Sequence, residues 1–186
     1  MKFNTNFVRH DPVQKILQAA SDAVCERISE RGFEFCAPAE SPIEEVLGTA
    51  ICTHYRHIAR DHRFKVWPQE MFDQFCGELE AEETDPYEEY DVLAANQYQM
   101  DGARTDFIFA HKNWRRGNVF RLVVECDGHD FHERTKEQAA RDRARDRMLQ
   151  DKGWGVFRFT GSEIWKDPMG CAFQIADWLD RKSCET

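Results

Sequence analysis

The 186-residue chain carries 25 Lys and Arg against 34 Asp and Glu, a net charge of −9, and is 41% hydrophobic. A chain of this length supports one domain that buries about 70% of its extended-chain surface, so folding requires no disulfide or metal. The acidic total excludes a protein that coats nucleic acid through bulk positive charge, although it permits a local basic face.

The cysteines indicate a reducing compartment. There are seven, an odd number, and no C-x-x-C pair suggests a redox or zinc motif. The first six residues lack the apolar core of a signal peptide, and no stretch approaches the roughly 18 apolar residues of a membrane span. We therefore expect a soluble, cytoplasmic protein.

The acidity belongs to the first half of the chain. Residues 1–100 hold 9 basic and 19 acidic side chains, whereas residues 101–160 hold 13 and 10. Glu78 to Asp91 contains eight carboxylates and no Lys or Arg, a pattern typical of a solvated loop or helix face. A DNA-mimicking or autoinhibitory segment is the alternative for this run.

Two helices are predicted in the first half. Apolar residues at three- and four-residue spacing predict one over about Asp11 to Arg31. A second begins at Ser41, where the serine cap, Pro42 and Glu44 form a capping box. Periodicity fades between Arg60 and Asn96, except for a short amphipathic helix around Met71–Leu79.

The second half predicts strands that alternate with helices. Asp101-Gly102 suits a tight hairpin turn, and Leu122-Val123-Val124 is apolar on both faces, as in a central strand. The predicted strands are Gln97–Met100, Ala103–Ala110, Val119–Glu125 and Trp154–Thr160, and the predicted helices are Thr135–Lys152, which ends at Gly153, and Asp167–Arg181. This order predicts an α/β fold with a mixed sheet between helices.

Three carboxylates are candidates for a metal site. Asp106 lies inside a strand, while Glu125 and Asp127, two residues apart, share one face at the end of the most apolar strand. Convergent carboxylates repel one another when buried, and Mg²⁺ removes that penalty through oxygen ligation. The alternative is that each acid forms an ordinary ion pair with an arginine; the candidates are Arg104, Arg121 and Arg158.

Five segments form an ordered pattern: Ser41–Glu44, Gln97–Phe107, Val124–His132, Asp142–Arg147 and Gly153–Gly161. In this order they resemble the bacterial proteins of the restriction-endonuclease-like superfamily that are related to the very short patch repair endonuclease. The likeness covers roughly residues 41–175, and its core is the PD-(D/E)XK nuclease pattern. It implies an α-β-β-β-α-β core over residues 41–186, with an acidic insertion at about 60–96 and an N-terminal helical extension over residues 1–40.

The resemblance also implies an activity. It is that of a metal-dependent endonuclease that hydrolyses phosphodiester bonds in DNA, leaving a 5′-phosphate and a 3′-hydroxyl. Asp106 and Glu125 would bind one or two Mg²⁺ ions, with Mn²⁺ as a possible substitute. The backbone carbonyl of Cys126 would be a third ligand.

The chain departs from the superfamily pattern in two ways: the interval from Arg60 to Asn96 is longer than the usual link between the first helix and the hairpin, and one residue of the motif differs. Asp127 stands where the superfamily has a lysine, so we expect it to be an extra metal ligand, directly or through water. The role of the lysine in positioning water would pass to His129 or His132. A zinc site of these two histidines with Cys126 is the weaker alternative, because it offers too few thiolates.

Glu44 has two interpretations. It matches a glutamate that assists the metal site of related nucleases through a water, with Glu45 as a weaker substitute. It is also the capping-box glutamate, whose side chain would then be occupied by the Ser41 N–H.

Basic side chains between and after the candidate acids are candidates for DNA contact: Lys112, Arg115, Arg116, Lys136, Arg141 and Arg145. The first four are expected on loops or at a helix start. For the two last arginines, a salt-bridged helix is an equally simple interpretation. The alternatives to an endonuclease are a catalytically silent nucleic-acid-binding or assembly module of the same fold, or a structure-selective nickase or RNase.

Overall fold

The computed structural model describes Asp22 and residues 34–58, 64–80, 92–100, 102–112, 119–128 and 136–184. All of these except Asp22 belong to one unit, Phe33–Thr186. A mixed five-stranded sheet lies between two layers of helices, which confirms the predicted fold class. No helix in the described ranges is long and apolar enough to cross a membrane.

The described part of this unit contains five α-helices and five strands. The helices are α1 (Pro42–Thr53), α2 (Gln69–Glu80), α3 (Lys136–Asp151), α4 (Gly161–Lys166) and α5 (Pro168–Cys184). The strands are β1 (Phe64–Val66), β2 (Val92–Met100), β3 (Ala103–Lys112), β4 (Val119–Asp127) and β5 (Gly155–Thr160). A π-helical segment, His54–Ile58, follows α1.

The strands lie in the sheet in the order of the chain. Strands β2, β3 and β4 are antiparallel, and each edge strand runs parallel to its neighbour. A parallel neighbour needs a crossover connection, which α3 supplies between β4 and β5.

The two faces of the sheet bury separate clusters of apolar side chains. Leu122 and Val124 of β4 belong to a cluster with residues of α1, α4 and α5. Val123 belongs to a cluster with residues of α2 and α3 on the opposite face. Strand β4 is therefore covered on both sides, as its continuous apolar run predicts.

Glycines lie at the turn of the predicted hairpin and at the end of α3, the helix predicted over Thr135–Lys152. Met100 pairs with Ala103, and Gly102 between them has a φ of +77°, which a residue without Cβ adopts readily. Gly153 has the same φ, and the N–H groups of Gly153 and Trp154 donate to carbonyls in the last turn of α3. This bonding pattern ends the helix where the sequence predicts.

The structure extends the predicted elements at three places. Strand β2 begins at Val92, before the predicted start at Gln97. The sequence does not predict this part because Val92–Ala95 is buried on both faces and shows no alternation. Strand β1 has only three residues, too few for a periodic pattern. Helix α4 begins at a capping box of Thr160 and Glu163, where no helix is predicted.

The interval 60–96 contributes to the sheet. It supplies β1, all of α2 and the first half of β2. Helix α2 confirms the amphipathic helix predicted at Met71–Leu79. Residues 81–91, most of the acidic run, lie outside the described residues. The helix predicted over Asp11–Arg31 lies outside them too, apart from Asp22, which is helical.

A glycine of β5 sets the approach of α5 to the sheet. A Cβ added at Gly155 would lie 2.5 Å from the Trp178 ring and 2.9 Å from Leu122. We predict that Gly155→Ala lowers the free energy of unfolding by about 1–3 kcal/mol through overpacking, measured by urea denaturation. Gly77→Ala is the matched control, since open space surrounds it in α2; it should stabilise by up to about 1 kcal/mol. Equal effects of the two substitutions would contradict this packing.

Candidate active site

Two carboxylates meet where β3 and β4 part. The strands pair as far as Phe107 and Val124. Beyond this point the Cys126 N–H donates to Oδ2 of Asp106 at 2.6 Å, where a continuing ladder would use a backbone carbonyl. Asp106 and Glu125 each lie two residues from a side chain of the α2–α3 cluster, so both face that layer.

The environment of Asp106 disfavours its charge. Burial raises the pKa of this carboxyl from 3.8 to about 6, although the hydrogen bond from Cys126 acts in the opposite direction. The charges of Glu44 and Asp127 raise the pKa further, which places both of them within electrostatic reach.

Glu125 is partly buried beside Asp106 and paired with an arginine. Burial, followed by repulsion from Asp106, raises the pKa of Glu125 from 4.5 to about 7. Arg145 of α3 opposes this shift through an Nη1–Oε1 contact of 2.9 Å, and its Nη2 also donates to the Arg104 carbonyl at 3.2 Å. The arginine therefore spans the gap between β3 and β4.

Asp127 and Asp146 share a second arginine. Arg158 of β5 donates to Asp146 of α3 at 2.8 Å, and its Nη1 lies 3.6 Å from Oδ1 of Asp127, whose side chain is only 5% exposed. Of the arginines proposed as partners for the acids, Arg158 thus lies beside the site. Arg104 instead pairs with Glu40, and Arg121 lies over the Trp154 ring, 5.3 Å from its centroid.

Glu44 is buried at the start of α1, with its carboxylate held by three donors. Ser41 caps the helix, as predicted, since its hydroxyl accepts from the Glu44 N–H at 3.3 Å. The return bond to the Ser41 N–H was predicted wrongly: the carboxylate accepts from the Ser41 hydroxyl at 2.8 Å and from the Glu40 N–H at 2.9 Å. The third donor is Gln97 Nε2, at 2.6 Å. Glu44 thus serves the cap and lies within electrostatic reach of Asp106.

The acidic pair has the chemistry that a small divalent cation requires. Mg²⁺ usually takes one or two carboxylates and keeps several waters. A divalent charge would also offset the burial and repulsion that raise the pKa values of Asp106 and Glu125. In the part of the chain that the structure describes, no three His, Cys, Asp or Glu side chains are already gathered as a metal site. Among the described residues, the features that suit a divalent cation are therefore the two carboxylates, Asp106 and Glu125, and their negative charge.

Comparison with known proteins supports this interpretation of the fold. Residues 87–179, half of the chain, match the model of REase_MTES_1575, a restriction endonuclease family. The chain belongs to this family. No curated protein and no solved structure matches the chain significantly.

Membership of the REase_MTES_1575 family confirms the restriction-endonuclease-like superfamily and indicates a nuclease. The matched range contains Asp106, Glu125 and Asp127 together with both arginines of the site, whereas Glu44 lies before it.

Cys126 is poorly suited to binding metal through sulfur. Burial, followed by the negative charges of Asp106 and Glu44, raises the pKa of its thiol, and zinc requires a thiolate. Its carbonyl stays the predicted ligand. The two histidines proposed beside it, His129 and His132, lie outside the described residues.

The predicted nucleic-acid contacts fall into three groups. Lys112 is the last residue of β3 and is 5% exposed, so its placement on a loop was wrong. Arg145 points into the site. Lys136 begins α3 and Arg141 lies within it, with side chains that are not described, and Arg115 and Arg116 lie outside the described residues.

Gln97 is the site residue that sequence reasoning did not single out. Asn96 pairs with Phe107 and Tyr98 with Thr105, so Gln97 stands opposite Asp106. Counting back from the Asp-Gly turn would have placed it there, since a two-residue turn fixes the register of a hairpin.

The raised pKa values predict how stability depends on pH. Both carboxyls bind a proton more tightly in the folded chain than in the unfolded one, so the stability of the metal-free protein should fall as pH rises from about 4 to about 7. We predict that Glu125→Gln raises the free energy of unfolding by about 1–3 kcal/mol near pH 8 and has little effect near pH 4. Denaturation at both pH values measures this. Asp177→Asn, a half-exposed acid of α5, is the control, and a Glu125→Gln effect independent of pH would contradict the assignment.

Proposed function

We propose that the protein is a metal-dependent DNA endonuclease in which Asp106 and Glu125 bind Mg²⁺, with Mn²⁺ as a substitute. The observation that supports this most directly is the pair of partly buried carboxylates with raised pKa values, at the point where two strands part, in a member of a restriction endonuclease family. Burying two mutually repelling acids destabilises a fold, so their presence favours a functional role.

The bound cation would polarise the phosphodiester and lower the pKa of a bound water. The chain's own residues divide the remaining tasks. Asp106 and Glu125 supply oxygen ligands, and the Cys126 N–H fixes the orientation of Asp106. The contact of Asp127 with Arg158 supports a role one layer out, through water or through that arginine.

Arginines replace the missing lysine as the source of positive charge near the site. Arg145 and Arg158 carry permanent charges, and each contacts a carboxylate of the cluster. His129 or His132, directly after β4, remains the proposed base that accepts the proton of the attacking water. We also propose that the protein is related to the very short patch repair endonucleases and that it acts in the cytoplasm.

The second candidate is a catalytically silent nucleic-acid-binding or assembly module. It is favoured by the same ion pairs, because Glu125 and Asp127 already have arginine partners without a cation. Calorimetric titration with Mg²⁺ or Mn²⁺ separates the two candidates, since a nuclease must bind the metal and a silent module need not. Supercoiled, mismatched and single-stranded DNA and RNA substrates would identify a nickase or an RNase.

The first test is cleavage. Purified protein should nick or cut plasmid DNA with Mg²⁺ or Mn²⁺, and Asp106→Asn or Glu125→Gln should reduce the rate by about a thousandfold, because cation binding contributes several kcal/mol to the transition state. Asp177→Asn, remote on α5, should cut at the wild-type rate. Full activity in both site variants would show that the site is elsewhere.

The second test is cation binding without turnover. Excess Mg²⁺ should raise the melting temperature near pH 8 and have little effect near pH 5, where the two carboxyls, with pKa values of about 6 and 7, are mostly protonated. Differential scanning fluorimetry measures both shifts. A shift of equal size in Asp106→Asn would mean that the cation binds at another site.

A further inference from the structure

Gln97 has a backbone conformation that glutamine rarely adopts. Among the described residues it is the only one besides glycine with a positive φ, 52°. Side chains with a Cβ are strained in this left-handed region, and such strain persists only where the surrounding structure enforces it. It interrupts β2 at the level of Asp106, between two regular pairs with β3.

The unusual backbone places the Gln97 amide against Glu44. Its Nε2 donates to Oε2 of Glu44 at 2.6 Å, across 53 residues of sequence. The reverse orientation of the amide would set two oxygens at that distance, so the carboxylate fixes which end of the amide faces it. Gln97 is thus the link between α1 and the strand opposite Asp106.

The other end of the amide is a buried acceptor without a donor. Oε1 of Gln97 has no accessible surface and accepts no hydrogen bond from the described residues. Burying an unsatisfied carbonyl oxygen is unfavourable, and native structures tolerate it mainly at sites that bind something. A cation or a cation-bound water is the class of ligand that an amide oxygen beside carboxylates would take.

Glu44 is close enough to affect Asp106 of the acidic pair. Its charge raises the pKa values of Asp106 and of the Cys126 thiol. The three donors to its carboxylate are uncharged: the Glu40 N–H, the Ser41 hydroxyl and the Gln97 amide. Its negative charge is therefore oriented but not neutralised.

We propose that Gln97 is a positioning residue of the metal site: its strained backbone holds Glu44 beside Asp106 and offers Oε1 to the hydration shell of the bound cation. This inference rests on the proposed function, which it deepens. It predicts that Gln97 affects cation binding and turnover more than it affects folding.

Two glycine substitutions on the same strand test it. Gln97→Gly removes the amide and relieves the positive φ, so the melting temperature of the metal-free protein should stay equal or rise. Its affinity for Mn²⁺, measured by calorimetry, should fall about tenfold, and kcat for plasmid cleavage should fall with KM unchanged. Gln99→Gly, at an exposed position with ordinary φ, should lower the melting temperature and keep Mn²⁺ affinity and kcat within about twofold.

A third variant tests whether Gln97 acts through Glu44. In a Glu44→Gln background, adding Gln97→Gly should reduce Mn²⁺ affinity by less than tenfold, because the part of the effect that passes through Glu44 is already lost and only the contribution of Oε1 remains. If Gln97→Gly instead loses thermal stability like Gln99→Gly and keeps wild-type Mn²⁺ affinity, Gln97 is only a structural residue and the inference is wrong.

The outcomes separate this inference from the proposed function. If Asp106→Asn stops cleavage while Gln97→Gly cuts like the wild type, the endonuclease stands and the role of Gln97 falls. If the wild type binds Mn²⁺ but cuts no nucleic acid, the endonuclease falls, and a weaker Mn²⁺ affinity of Gln97→Gly still supports the role of Gln97.

Discussion

The burial of acidic side chains where the start of β3 parts from the end of β4 is the constraint on which the site depends. In a regular ladder the Cys126 N–H would donate to a backbone carbonyl of β3, and Asp106 would lose this hydrogen bond. The chain instead breaks the ladder after Phe107 and Val124 and satisfies the Cys126 N–H with the side chain of Asp106. Burial, and for Glu125 the repulsion from Asp106, raises the pKa values of the two carboxyls above those of free carboxyls, and the Cys126 hydrogen bond offsets only part of this shift at Asp106.

The arginines of α3 and β5 make this arrangement tolerable. Arg145 reaches Glu125 from the helix, and Arg158 reaches Asp127 and Asp146 from the neighbouring strand. Breaking a buried ion pair by removing one partner leaves an uncompensated charge, which is strongly destabilising. The helix that crosses from β4 to β5 is therefore held to the site by charge as well as by the apolar contacts of Leu149.

Sequence reasoning reached the sheet, the hairpin and the acidic pair because each has a local signature. The Asp-Gly turn fixes register, and apolar runs mark the covered strand. It did not reach β1 or the start of β2, where strands are short or buried on both faces and show no period. The partners of the acids depend on which arginine a helix brings close, so Arg145 was assigned to DNA. Gln97 was missed because its φ follows from tertiary packing.

The site is net negative, although residues 101–160 hold 13 basic and 10 acidic side chains. Among the described residues, five carboxylates lie at or beside the site: Glu44, Asp106, Glu125, Asp127 and Asp146. Two arginines contact them, which leaves three negative charges uncompensated if every acid is ionised. A phosphodiester would be repelled from such a site, whereas two divalent cations would leave it with one positive charge. The electrostatics therefore favour an order in which cations bind before, or together with, the phosphate, and not after it.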